Sequence, residues 1–97
     1  MATELEPREA KEKFKKIVEY CRRLRELGFG DTEVPYEYRV KLAELWEEYI
    51  SELPPEVVEE EALAVIGYPQ IVKLRDIPRK ILEDPYFAKI IVEVYST

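Results

Sequence analysis

The sequence has no histidine and no asparagine, and only one each of cysteine, methionine, tryptophan and glutamine (Cys21, Met1, Trp46 and Gln70). Each scarcity excludes something. Without histidine the usual general base at neutral pH is missing, and neither a serine–histidine–acid triad nor a Glu-x-x-His metal motif can form. A lone cysteine cannot close an internal disulfide, so a disulfide scaffold is excluded and a reducing cytoplasm is the expected setting. No apolar run approaches the roughly 20 residues of a membrane span, and no N-terminal stretch has the apolar core of a signal peptide. Three glycines and seven prolines are too few for a disordered chain this apolar. Few amides and thiols beside many Glu, Lys and Arg is the pattern of proteins that work at high temperature, which predicts a hyperthermophilic source.

What is present suits one helical domain over residues 1–97. Hydrophobic residues make up 46% of the chain, enough for one core, and the 37% that are charged can coat it. Behind Pro7, a good first helical residue, Ala10, Phe14, Ile17, Val18, Cys21, Leu24 and Leu27 step by three and four, predicting a helix over 7–27. Gly28 stops it, with Phe29 placed to touch Leu24 in a Schellman ending. Pro35 opens a second helix over 35–53, whose stripe is Tyr38, Leu42, Leu45, Trp46, Tyr49, Ile50 and Leu53. Pro54 ends that helix and Pro55 begins a third, with Val58, Ala62, Leu63, Val65 and Ile66 on its face. Gly67 and Tyr68 repeat the Gly-aromatic ending, with Leu63 standing where Leu24 stood. Pro69, Pro78 and Pro85 then predict short helices over 69–75 and 78–83 and a last one over 85–95, capped by Asp84. Ile90, Ile91, Val92 and Val94 also suit a strand, but a single strand would lack a partner, so helix is favoured. The expected fold is all-α, a bundle of five or six helices, two long ones followed by shorter proline-initiated ones.

Charge is placed unevenly. Residues 1–28 carry net +2, residues 29–66 net −9 and residues 67–97 net +1, within a total of −6. Catalysis has little to work with. Cys21 lies in an apolar stripe, which fits a core residue better than a nucleophile. The carboxylates lie in runs (Glu44, Glu47 and Glu48, then Glu59, Glu60 and Glu61) that read first as solvated helix faces. No catalytic residue, metal, cofactor, membrane or small-molecule substrate is expected.

Two binding readings remain. The last helix has eight apolar residues among the ten from Tyr86 to Tyr95, an arc of about 240° at about 100° per residue. Surface helices usually bury a stripe little wider than about 100°. Either this helix runs through the bundle or part of it meets another chain. The sequence therefore predicts a non-catalytic accessory protein that binds a protein partner or itself. Its apolar candidates are Trp46, Tyr86, Phe87, Ile90, Ile91, Val94 and Tyr95, and Glu44, Glu47, Glu48, Glu59, Glu60 and Glu61 would steer a basic partner. The alternative is nucleic-acid binding through Lys15, Arg22, Arg23, Arg25, Lys73 and Arg75. Residues 59–75 resemble a helix-turn-helix in outline, but the acids of the preceding helix would repel phosphates, and the acidic balance disfavours this reading.

Overall fold

The computed structural model describes residues 8–65 and 67–96; the predicted helix start at Pro7 and the core position Ile66 lie outside them. Helix α1 spans Arg8–Glu26 and buries Ala10, Ile17, Cys21 and Leu24 of the predicted stripe, with Phe14 half-buried, whereas Leu27 lies past the helix end and is 55% exposed. It ends as predicted. Gly28 has φ +98°, its N–H donates to the Arg25 carbonyl at 2.9 Å, and the Phe29 N–H reaches back to Leu24 at 3.0 Å. These are the two bonds of a Schellman motif, and they satisfy carbonyls that a helix end leaves open.

Helix α2 (Tyr36–Ser51) buries Leu42, Ala43, Leu45, Trp46 and Tyr49. Pro35 offers no side-chain cap, and Arg39 holds this corner instead. Its guanidinium donates from Nε to the Val34 carbonyl at 3.0 Å and from Nη1 to the carbonyl of Leu82. Leu82 belongs to α4 (Ile77–Glu83), so one side chain ties the start of α2 to the end of α4.

The last helix, α5 (Pro85–Tyr95), begins at Asp84, whose Oδ1 accepts from the N–H groups of Tyr86 (3.0 Å) and Phe87 (3.4 Å). The β-branched run is helical because α1, α2 and α4 all pack against it. Phe87, Ala88, Ile90, Ile91 and Val92 are buried, so most of the wide apolar arc is used inside the molecule. Cys21 faces the same layer, with Sγ 3.9 Å from the Ile91 carbonyl, and burial pushes its thiol pKa up to about 12. At neutral pH it is a protonated core residue.

Residues 55–76 depart from the expected all-α bundle. The third helix is one short segment, α3 (Pro55–Glu60), and the chain turns extended at Glu61. Ala62–Ala64 then form β1, which pairs antiparallel with β2 (Ile71–Lys73), and a 3-10 turn over Leu74–Asp76 leads into α4. The predicted helices over 55–66 and 69–75 are thus corrected to a helical turn and a hairpin, and the helix-turn-helix outline disappears with them. Two causes are local. Glu59, Glu60 and Glu61 crowd the negative end of the helix dipole, with no basic residue in its last turn. Beyond them burial alternates with period two: Leu63 and Val72 face inward, while Ala62, Ala64, Ile71 and Lys73 are exposed. Gly67 does take a positive φ, +96°, but in the connection between the strands, where the Tyr68 N–H bonds the Val65 carbonyl at 3.0 Å. Tyr68 also donates its hydroxyl to Asp84 at 2.6 Å, and Tyr86 donates to the Gly67 carbonyl at 3.1 Å, pinning the hairpin loop to the start of α5. Among the described residues no helix is long and apolar enough to cross a membrane.

Candidate functional site

The hairpin and α3 stand beside the C-terminal half of α2, and the space between them is an open cleft of about 770 Å³. One wall is aromatic: Phe14 from α1, Trp46 and Tyr49 from α2, and Tyr95 from α5. Leu53, Val57, Leu63 and Leu74 supply the aliphatic part, each from a different segment between α2 and α4. Among the described residues two charged side chains line it, Glu56 and Glu61, and no Lys or Arg does. Helix stripes turned inward supply the aromatic wall, whereas the opposite wall exists because α3 stops early and the chain folds back.

The aromatic wall is closed packing, which decides what it can bind. Phe14 lies 6.2 Å from Trp46, 5.2 Å from Tyr49 and 5.6 Å from Tyr95, centroid to centroid, and Trp46 lies 5.5 Å from Tyr95. Three of these contacts are edge-to-face. A cation held in an aromatic cage sits over ring faces, within about 6 Å of each centroid. Rings already touching each other leave no such space between them. Trp46 is 1% exposed and Tyr49 8%, so the open aromatic surface comes from half-buried Phe14 and Tyr95. The cleft suits an apolar group, with carboxylates at its margin. Its wall also carries a local cost: among the described residues the buried Trp46 Nε1 finds no acceptor, a penalty of about 1–3 kcal/mol.

Of the apolar candidates from the sequence, Trp46 and Tyr95 line this cleft. Phe87, Ile90 and Ile91 are buried in the protein's own core, Phe87 with its ring 4.9 Å from that of Tyr68 in the hairpin loop. Tyr86 and Val94 are exposed, at 49% and 41%, outside the cleft lining. The acidic candidates Glu44, Glu47, Glu48, Glu59, Glu60 and Glu61 all reach the surface, but only Glu61 lines the cleft. Glu48 pairs with Lys13 at 3.5 Å and Glu59 with Arg75 at 2.7 Å. Glu56, Val57, Leu63 and Leu74 were missed as site residues. The signal available was the alternation of burial-prone residues on either side of Gly67, which marks a hairpin beside an acid run.

The basic candidates do not form one strip. Arg23 shares a depression of about 210 Å³ between α1 and α2 with Lys16 and Lys41, but also with Glu19. Lys15, Arg22 and Arg25 are exposed on α1, and Arg25 donates to Ser96 Oγ at 3.1 Å. Lys73 and Arg75 sit on β2 and the 3-10 turn, segments that pack against α3. Arg75 is already paired with Glu59.

Comparison with protein-family models, curated proteins and solved structures finds no match to this chain.

Proposed function

We propose that the protein is a non-catalytic binding module, an accessory subunit that docks a basic, apolar segment of another protein in this cleft. One observation carries the reading: an open apolar recess of about 770 Å³ is lined mainly by residues of the acidic stretch 29–66 and, among the described residues, by two glutamates and no base. Its volume falls in the range of about 300–1,000 Å³ typical of ligand sites. Apolar lining supplies the driving force for association, and the acidic margin selects and steers a positively charged partner.

The test compares two baits in extract of the native organism: the wild-type protein and the double variant Glu56→Lys/Glu61→Lys. Both positions are exposed, so the variant keeps its fold. The expected result is a protein held by the wild type, released by salt and lost from the double variant. Identical retention by both baits, or none by either, ends the reading. The nucleic-acid alternative is tested separately by titrating labelled duplex and single-stranded DNA at low salt. Salt-sensitive binding abolished by Arg22→Glu/Arg23→Glu would replace the protein-docking reading with the basic one.

A further inference from the structure

One boundary of the cleft is made of backbone. The Leu74 N–H donates to the Glu61 carbonyl at 3.1 Å, and Ala62, Leu63 and Ala64 stand opposite Lys73, Val72 and Ile71. In an antiparallel pair, hydrogen-bonded and non-hydrogen-bonded couples alternate. Glu61 accepts from Leu74 directly opposite, which marks theirs as a bonded couple, so Leu63 and Val72 form the next one. Ala62 and Ala64 therefore point their N–H and C=O groups away from β2. Among the described residues the sheet has these two strands alone, so that side of β1 is a free edge. Ala62 and Ala64 are exposed, and among the described residues nothing outside the hairpin bonds them. Of the two strands only β1 lines the cleft, through Ala62 and Leu63. The open edge and the apolar recess are therefore adjacent.

Resting on the reading of the cleft as a protein-docking site, we infer that its occupant is an extended segment that adds to β1 as a third strand. Strand addition uses main-chain hydrogen bonds for affinity and alternate side chains for specificity. The edge offers donors and acceptors from Ala62 and Ala64. Side chains of the incoming strand on the Leu63 face enter the recess between Leu53, Val57 and Leu74. Glu56 and Glu61 border the same recess, so lysine or arginine is favoured at the ends of that face of the incoming strand, in register with the apolar residues. A second copy of this chain is disfavoured as occupant, because the residues beside its own β1 are Glu59, Glu60 and Glu61, not the lysines or arginines that an acidic margin selects.

The probe is a fluorescently labelled peptide that alternates valine with serine and carries a lysine at each end in register with the valines, so that valines and lysines share one face of the strand; binding is followed by anisotropy at low salt, with the emission of Trp46 as a second signal from the cleft wall. In a strand the N–H groups of the valines leave one edge and those of the serines the other. Two isomers are therefore made, one N-methylated on the valines and one on the serines. The parent peptide should bind, one isomer should keep that binding, and the other should lose tenfold or more. Ala64→Pro, which deletes an outward-facing N–H at a position where an edge strand tolerates proline, should weaken the parent peptide tenfold without lowering the thermal midpoint appreciably. Failure of the parent peptide to bind, or equal behaviour of the two isomers, overturns the inference. So does equal or tighter binding of an amphipathic leucine–lysine helix, which would leave the docking reading standing with a helical occupant. A dimer dispersed by Ala64→Pro would make the occupant a second copy and also overturn it. Failure of the extract experiment removes the parent reading independently.

Discussion

Two stretches of this chain carry the same signature and fold differently. Leu24 precedes Gly28–Phe29 by four residues, as Leu63 precedes Gly67–Tyr68, and both glycines take a positive φ, +98° and +96°. The first closes a 19-residue helix through a 6→1 bond from Phe29 to Leu24. The second sits in the loop of a hairpin, where Tyr68 reaches back only to Val65. A glycine between an apolar residue and an aromatic one thus reports a left-handed residue, not the element it terminates. What precedes it decides. Residues 8–26 carry an uninterrupted apolar stripe, whereas residues 55–60 run into three successive glutamates.

Both regions can be broken in ways that test this contrast. The largest effect is expected at Ile91, fully buried in α5. Ile91→Glu should abolish cooperative folding, a loss of more than about 4 kcal/mol, because it buries an unpaired charge. A folded variant in urea denaturation would return α5 to the surface. Next comes the pair of leucines. Leu24→Ala should cost about 2–5 kcal/mol as a core cavity. Leu63→Ala, half-buried beside the cleft, should cost about 1 kcal/mol. Equal losses would mean that the hairpin is as tightly packed as the α1 ending.

Gly28→Ala and Gly67→Ala should each cost about 1–2 kcal/mol, since both place a Cβ in left-handed backbone. Neither site adds a clash: a Cβ meets nothing within 4 Å at Gly28 and only Ile90 Cδ1 at 3.8 Å at Gly67. Matching losses in thermal or urea midpoints would confirm that the two glycines do one conformational job in two settings. The smallest effect concerns the link between the hairpin loop and α5. Burial pushes the Asp84 carboxyl up, but the hydroxyl of Tyr68 and the N–H groups of Phe87 and Tyr86 outweigh it and lower the pKa overall. Its contribution to stability is present above the ordinary carboxylate range and fades as pH falls through the lowered value. Burial and the bond to Asp84 raise Tyr68 from 10.0 to about 12. That contribution is present below pH 10.0 and is lost as pH rises through about 12. Urea midpoints should decline at both extremes, and Asp84→Asn should flatten the acid limb.

Much of the architecture was readable because its signals are local. Proline at a first helical turn, Asp84 as a cap and the α1 stripe act within a few residues of where they stand, and the helices they predict over 35–53, 78–83 and 85–95 are present, whereas Pro55 opens only the short α3 and Pro69 opens no helix. The hairpin escaped because Ala62–Ala64 and Ile71–Lys73 gain their hydrogen bonds only from each other, across a loop, and three-residue strands leave too short an alternation to outweigh helical spacing. The site escaped for the same reason. Trp46 and Tyr95 were chosen for their aromatic character, but nothing along the chain indicates that Phe14, Leu53, Leu63 and Leu74 share one recess. Phe87, Ile90 and Ile91 stand out in the sequence as an excess of apolar surface, and packing of α5 against three helices and the hairpin loop accounts for them.

The sequence by itself determined where helices begin, which faces are apolar, where the chain must turn left-handed and where negative charge collects, since these depend on the intrinsic geometry and chemistry of neighbouring residues. Only the tertiary structure decided that residues 62–64 and 71–73 pair as strands, that α5 lies inside, and that an open sheet edge borders an apolar cleft. Those outcomes depend on contacts between distant segments, whose free energy exceeds the local preferences that would otherwise choose the element.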